Sequence, residues 1–424
     1  MNSRLTSCLA ISLACASAPL AGSVDNRNNN SVEFLRTTSR NAATEGADIA
    51  VYNPGGATRL RDGLHLSLSN QTIDKFNRHT LANPNIAYES RIATPFYPTG
   101  FAVYKRNDWA AFAAFSYPGG GGELEYDKGS AAVFPLQTNL SFMDPPRNAV
   151  TYLRSVYFGF TLGGTWAPAE WVAVSLSGRA VYARNDIYVD AGADLPPGNT
   201  DKIVDHMEEA RGATGVLGVD FFPTSRWVLA LRYEAVTSLE WEVQKSSLNL
   251  DSVIKDPGTR AGYIGLLRKS LRAPGAKFQR DLPAVLGVGA GYLILPEMRA
   301  DLSLNYYFNA STDWSGAEDL HDDGYELSFA LEYDWAIPLT TSAGALYTVT
   351  GAGRDSYQIE NPALDSYTLG LGARYAFNDR LGLTAAWAGN FAREDEVSVA
   401  SFNSTAHLEK RAILYGLGID YRLF

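Results

Sequence analysis

The chain has 424 residues, of which 19% are charged, and its formal net charge is −10 at neutral pH. A nucleic-acid-binding surface needs clustered Lys and Arg, so this balance argues against a nucleic-acid partner. The two cysteines, Cys8 and Cys15, lie close to the first residue, and the rest of the chain has no thiol for a disulfide or for nucleophilic chemistry.

The first residues have the pattern of a secretory leader. One cation, Arg4, precedes an apolar stretch over residues 5–21 that ends in small residues at Gly22 and Ser23. This pattern predicts a signal peptide over residues 1–22 and export of the mature chain. A lipoprotein site at Cys8 is the less favoured alternative, because only a short stretch precedes it and no apolar segment is left for the export machinery.

From Gly63 onward, apolar and polar side chains alternate with a period of two, which is typical of strands with two different faces. The segments 227–234, 325–335 and 367–375 each have one apolar face, as expected for strands with lipid on one side and a lumen on the other. In 286–294 the second face is mostly glycine, which predicts close packing or a need for space in the lumen.

The sequence predicts an all-β fold, a transmembrane antiparallel β-barrel of about 14 strands over residues 61–424. Nothing beyond the leader approaches the ~18 apolar residues of a spanning helix, so a membrane-spanning chain of this composition must be a barrel. Aromatic residues at strand ends are candidate membrane girdles. The predicted strands begin near Gly63, Thr94, Trp109, Val156, Trp171, Ala210, Trp227, Phe278, Arg299, Gly324, Leu339, Ser366, Arg380 and Lys410.

Short predicted turns alternate with long predicted loops, the asymmetry expected of periplasmic and extracellular connections. A soluble β-sandwich also alternates, but it does not account for the leader, the strand-end aromatics and this asymmetry together. The short turns are 105–108, 167–170, 223–226, 296–297 and 378–379. The long loops are 74–93, 118–155, 189–209, 244–277, 309–323, 350–365 and 395–409.

Residues 23–60 do not alternate, and we expect them to form a hatch, or plug, inside the lumen. Residues 42–51 are compatible with a short helix, and a turn follows because proline fixes φ and glycine accepts unusual conformations. The motif at the turn is Asn53, Pro54, Gly55, Gly56 and Ala57. Elsewhere such a sequence is only a turn, but its place directly before the first strand favours a hatch.

This motif resembles the Asn-Pro-Ala of the N-terminal hatch in FadL/TodX-type outer-membrane transporters of long-chain fatty acids and aromatic hydrocarbons, with Gly55 in place of alanine. Residues 282–289 also resemble a late barrel strand of that family. The resemblance implies loop capture of a hydrophobic molecule, hatch movement and lateral release through a kinked third strand of a Gram-negative outer-membrane barrel. The implied partners are that ligand, outer-membrane lipid and lipopolysaccharide, and the barrel-assembly machinery.

Two segments are candidates for the steps of such transport. A wall kink is predicted where the third strand reaches Pro118, Gly119, Gly120, Gly121 and Gly122, since proline lacks a donor and glycine weakens pairing; a mobile loop is the alternative. An amphipathic helix is predicted in the loop after the seventh strand, to capture ligand or to pack on neighbouring loops. Its residues are Tyr263, Ile264, Leu266, Leu267, Arg268, Lys269, Leu271 and Arg272.

The end of the chain resembles the assembly signal of outer-membrane proteins, carried here by Tyr421, Leu423 and Phe424. Arg422 stands where that signal has an aromatic residue, so Tyr421 is one position off register.

We expect no catalytic residues, no cofactor and no metal. The histidines lack metal-ligand spacing, and no serine lies in a Gly-x-Ser-x-Gly elbow. The acidic group Asp319, Asp322 and Asp323 around His321 is best interpreted as a solvated loop rather than a cation site. The alternatives to a transporter are a general diffusion porin or adhesin, which would lack a hatch, and an outer-membrane lipid-modifying hydrolase.

Overall fold

A computed structural model of the chain describes residues 29–83, 85–131, 148–192, 201–251, 256–267, 271–399 and 404–424. The predicted signal peptide and residues 23–28 of the predicted hatch lie outside the described residues. Among the described residues, no helix is both long and apolar enough to cross a membrane.

Strands dominate the structure, and the helices are few and short. Three α-helices are present in the described residues: α1 (Val32–Thr37), α2 (Ile49–Tyr52) and α3 (Pro257–Leu267), and a 3₁₀ helix covers Pro54–Arg59. The strands are β1 (Gly63–Leu81), β2 (Ile86–Thr94), β3 (Thr99–Arg106), β4 (Trp109–Tyr126), β5 (Asn148–Ala169), β6 (Val172–Gly192), β7 (Asp201–Thr224), β8 (Trp227–Glu234), β9 (Glu240–Leu248), β10 (Lys277–Gln279), β11 (Val285–Leu295), β12 (Met298–Tyr307), β13 (Gly324–Asp334), β14 (Leu339–Val349), β15 (Ser366–Ala376), β16 (Leu381–Ala392), β17 (Asp395–Val399) and β18 (Ser404–Arg422).

The strands form one closed antiparallel barrel, in which β1 pairs with β18 from His65 opposite Arg422 to Leu81 opposite Ala406. Four wall strands consist of two consecutive elements each: β2 with β3, β8 with β9, β10 with β11, and β16 with β17. The wall therefore has 14 strands. The predicted fold class is confirmed.

The predicted apolar faces point outward. Leu327, Phe329, Leu369 and Leu371 are about half exposed on the outer surface, whereas Glu326 on the other face of β13 is buried. Aromatic rings lie at both ends of the band, as with Tyr367 and Tyr375 eight residues apart on β15. At ~3.3 Å per residue and a tilt of ~40°, this separation rises about 20 Å, so the two rings lie near the borders of the ~25 Å apolar band of membrane barrels.

The predicted short turns are confirmed, but several predicted long loops are too long. The segment 74–93 is almost entirely a hairpin of β1 and β2, and β4 continues past residue 118 to Tyr126. Likewise β6 and β7 extend through most of 189–209. These strand extensions were not predicted because their outward residues are polar. A strand end that rises above the lipid does not need an apolar outer face.

Candidate functional site

Residues 29–60, which we call the lumenal segment, are packed inside the barrel. Nearly all of residues 29–57 are buried, although they form only α1, α2 and one 3₁₀ helix. Their apolar side chains, among them Leu35, Ile49 and Val51, share a core with lumen-facing residues of several wall strands. The fold therefore places this segment where the sequence predicts a hatch.

The Asn53–Ala57 motif joins this segment to β7. The Asn53 side-chain amide donates to the Ala43 carbonyl at 2.9 Å and to the buried Asp220 carboxylate at 2.8 Å. A Cβ on Gly55 would collide with the Asp220 carboxylate, and one on Gly56 would collide with the Ala43 carbonyl. Both glycines are thus required by close approach rather than by an unusual φ.

Helix α1 is held by buried charges. Ser31 caps its first turn by accepting from the Phe34 N–H at 3.0 Å. Arg36 forms ion pairs with Glu33 of the helix and with Glu332 of β13. Burial acts to raise the pKa of Glu33, but Arg36 and other nearby cations outweigh it and lower this pKa to about 2.

A second set of buried charges holds the chain between α1 and α2. Arg40 lies 2.6 Å from Asp48 and also contacts Glu45. From the wall, Arg299 of β12 donates to the Ala42 carbonyl at 2.5 Å and lies 3.3 Å from Glu45. Sequence reasoning missed these arginines, since nothing in their spacing reveals partners so distant in the chain.

Lumen-facing glycines allow the wall to approach the backbone of the lumenal segment. A Cβ on Gly289 would meet Asn41 and Ala42, one on Gly344 would meet the Thr37 carbonyl, and one on Gly370 would meet the Leu35 carbonyl. The glycine face predicted at 287–291 is therefore explained by close packing. Lumen-facing glycines in β14, β15 and β18 are the same sequence signal, and they would have located the remaining contacts between the wall and the lumenal segment.

The predicted kink residues lie inside β4 rather than in a loop. The β4–β5 ladder shifts register between Ser116 and Gly119 and again between Gly119 and Gly122. On the other side, the β3–β4 ladder ends at Phe115, and the described residues show no ladder from there to β2. The wall therefore has a discontinuity between β2 and β4.

The neighbouring strand is interrupted at the same place. Residues 95–98, between β2 and β3, are not paired with β1, and Asn70 and Thr72 of β1 donate to the Pro95 carbonyl instead. Tyr97 covers the discontinuity by stacking on Tyr117 of β4, with ring centroids 4.0 Å apart. Pro95 and Pro98 were the sequence signal for this break.

The lumenal segment contacts β4 at this discontinuity. The backbone N–H of Tyr117 donates to the Asn30 side-chain oxygen at 3.0 Å, and the Asn30 N–H donates to the Tyr52 hydroxyl at 2.9 Å. A small cavity of about 30 Å³ lies beside these contacts, lined by Asn30, Tyr52, Pro118 and charged wall residues such as Arg179 and Arg232. The end of the segment, the cavity and the wall break thus adjoin one another.

The outer end of the lumen is filled by a separate apolar cluster. Its buried members come from the outer ends of many strands and include Leu81, Tyr126, Leu250 and Leu408. Helix α3 includes residues 263–267 of the predicted amphipathic helix and ends before Leu271 and Arg272; Ile264 packs against this cluster and Leu271 belongs to it. The Arg272 guanidinium lies 3.7 Å from the centroid of the Phe278 ring. The side chains of Tyr263, Leu266 and Leu267, and residues 268 and 269, lie outside the described residues.

The other predicted features are separate from this site. Among the described residues no group of His, Cys, Asp and Glu could hold a metal ion. Asp323 accepts from the Tyr306 hydroxyl at 2.7 Å, and His321 contacts the Ala317 carbonyl at 2.9 Å, so these side chains join loop elements.

Phe424, the last residue of the predicted assembly signal, is exposed beside Tyr104 at the edge of the barrel with the short turns.

Comparison with solved structures identifies this arrangement. A Pseudomonas aeruginosa FadL homologue has a TM-score of 0.68 at 14% identity, covering 96% of this chain and 100% of that one. The fold is that of the FadL-type barrels. The Pseudomonas putida toluene transporter TodX (TM-score 0.62, 13% identity, 93% and 98% covered) and the Ralstonia pickettii toluene transporter TbuX (0.61, 14%, 93% and 98%) share the FadL-type fold. No family model matches the chain, and a search of curated proteins gives no match.

Proposed function

We propose that the chain is an outer-membrane transporter that takes up a hydrophobic small molecule, such as a long-chain fatty acid or an aromatic hydrocarbon. The outer loops with α3 capture the molecule, the lumenal segment acts as a hatch, and release is lateral, through the discontinuity between β2 and β4. The proposal extends to this chain the transport of a small hydrophobic molecule, since TodX and TbuX are toluene transporters.

The observation that carries the proposal is the hydrogen bond from Tyr117 to Asn30. It joins the hatch directly to the wall at the point where the ladder is interrupted. A rearrangement of the hatch therefore changes the environment of the break, whereas a simple pore needs no such connection. The apolar cluster at the outer end supports loop capture, because it offers a hydrophobic molecule an apolar environment.

A reversible cross-link tests whether the hatch must move. The hydroxyls of Ser39 and Ser303 are 2.8 Å apart, so a Ser39→Cys, Ser303→Cys pair would tie the hatch to β12. We expect uptake of radiolabelled oleate or toluene by cells lacking their own transporter to fall at least tenfold when the pair is oxidised, and to recover with reductant. A Thr368→Cys, Asn390→Cys pair, which ties β15 to β16 at directly opposite positions, is the matched control.

Two further measurements separate the alternatives. An Asn53→Ala, Pro54→Ala variant that loses uptake, with little steady conductance in planar bilayers, supports a gated transporter. Large ohmic conductance of the unmodified protein without uptake of either compound would contradict it and favour a porin. Release of fatty acid from phospholipid vesicles by the purified protein would instead favour the hydrolase.

A further inference from the structure

The outer surface of β18 changes from apolar to charged at one residue. Its outward positions from Tyr421 up to Ile413 are all apolar, and the next one is the exposed Arg411. At ~3.4 Å per residue and a tilt of ~40°, the stretch from Tyr421 to Arg411 rises about 26 Å, close to the ~25 Å height of the apolar band. Arg411 therefore lies at the membrane–water interface, on the side of the long loops.

Two aromatic rings flank this arginine on the adjacent strands. Phe391 of β16 and Phe76 of β1 are its direct cross-strand partners. The Arg411 guanidinium carbon lies 4.6 Å from the Phe76 ring centroid, a cation–π distance. Beyond Phe76, its direct partner on β2 is Arg91, whose side chain is 72% exposed. Ring and cation thus alternate across four neighbouring wall strands.

These residues surround a shallow recess of about 130 Å³ on the outer wall. Its floor is apolar at Phe76, Phe391 and Ile413, and its upper rim carries Arg91 and Arg411. Asp74 also lines the recess, 3.7 Å from Arg91. Two cations against one carboxylate leave the recess with an excess of positive charge.

Several other outward arginines of the barrel form ion pairs with acids of the protein itself. Arg184 of β6 lies 2.8 Å from Asp186 and 3.9 Å from Glu209. Arg411, by contrast, has no carboxylate within 4.0 Å among the residues that the structure describes. Its charge is held against a ring at the headgroup level and remains available to an external anion.

We propose that this recess binds the phosphate-bearing headgroup of an acylated outer-leaflet lipid. The guanidinium of Arg411, with Arg91 beside it, binds the phosphate oxygens through paired N–H donors. Phe76, Phe391 and Ile413 contact the first carbons of the acyl chains. A free phosphate ion would use only the rim, so the apolar floor at interface height is the argument for a lipid.

The test compares three probes on purified protein in detergent: phosphorylated lipid A, dephosphorylated lipid A, and inorganic phosphate as a competitor. We expect Arg411→Gln to weaken binding of phosphorylated lipid A about tenfold and to leave the dephosphorylated form unaffected. Arg184→Gln, which removes another outward arginine, is the matched control and should change affinity less than twofold. Heat-modifiable migration on gels verifies that each variant is a folded barrel.

Arg91→Gln supplies a second variant should Arg411→Gln fail to fold, and we expect it to weaken the same binding about threefold. Equal affinity of the folded Arg411 or Arg91 variant and the unmodified protein would overturn the proposal. Equal losses in Arg184→Gln, or displacement of lipid A by millimolar inorganic phosphate, would also overturn it, because the first indicates a diffuse charge effect and the second a free-phosphate site.

Discussion

Asn53 of the lumenal segment donates to Asp220 of β7 across 167 positions of sequence, and this bond is fully buried. The other carboxylate oxygen of Asp220 has no hydrogen-bond partner, so Asn53 is its principal donor. When a buried carboxylate loses its hydrogen-bond donor, the free-energy cost of its desolvation is no longer offset. The turn motif is therefore coupled energetically to the wall as well as placed beside it.

We expect Asn53→Ala to loosen residues 49–57 by about 1–3 kcal/mol, the usual cost of leaving a buried polar group without its partner. Hydrogen exchange of the backbone amides at positions 51 and 53 measures this local opening. Adding Asp220→Ala should recover part of the loss, since it removes the orphaned charge. Strictly additive effects of the two substitutions would mean that the residues are not coupled.

Gly55→Ala is expected to displace the turn, because the added methyl group would overlap the Asp220 carboxylate. The expected result is increased ion conductance in planar bilayers and faster proteolysis of the lumenal segment. Gly215→Ala is the control on the same strand as Asp220, since a Cβ there meets no atom within 4 Å. Similar behaviour of the two variants would show that the fit at Gly55 is not the cause.

Arg36→Leu should displace α1 from its packed position inside the barrel. The substitution removes the ion-pair partner of the buried Glu33 and of the partly buried Glu332, and breaking a buried pair in this way typically costs about 3–5 kcal/mol. Protease sensitivity of residues 29–60 in the folded barrel reports the effect. Lys277→Ala, which removes a solvent-exposed pair with Glu240, should leave that sensitivity unchanged. A protected segment in Arg36→Leu would contradict the assigned role of Arg36.

Tyr97→Ala should widen the discontinuity between β2 and β4, since it removes the ring that stacks on Tyr117. If release is lateral, the initial rate of toluene uptake rises severalfold, and bulkier hydrocarbons gain entry. Tyr97→Phe keeps the ring and should behave like the unmodified protein. Equal rates for the Ala and Phe variants would exclude the stacked pair as the barrier.

Much of the wall could be predicted from the sequence, because a strand shows its two faces locally. The alternation at 325–335 sufficed to assign lipid and lumen sides, and the turn motif before β1 located the lumenal segment. Strand ends above the lipid, such as 74–81, were not predicted, since their outward residues are polar like those of loops. The break at residues 95–98 was also missed, although two prolines bracket it.

The interior of the barrel could not be predicted in the same way. Arg36 meets Glu332, and Asn41 meets Ser303 and Asn305, only because closure of the sheet brings distant strands around one segment. Sequence spacing carries no information on such pairs. The outer recess is similar, since its residues come from β1, β2, β16 and β18 and meet only at the seam of the barrel.

The glycines opposite Leu35, Thr37 and Asn41 contact the main chain of the lumenal segment more than its side chains. Main-chain atoms are nearly the same for every amino acid. The wall therefore constrains the backbone path of the lumenal segment more tightly than the identity of its side chains. Random mutagenesis followed by selection for uptake should therefore reveal an asymmetry. Thr37, although buried, should accept small replacements such as Ser or Ala, whereas its counterpart Gly344 should accept almost none.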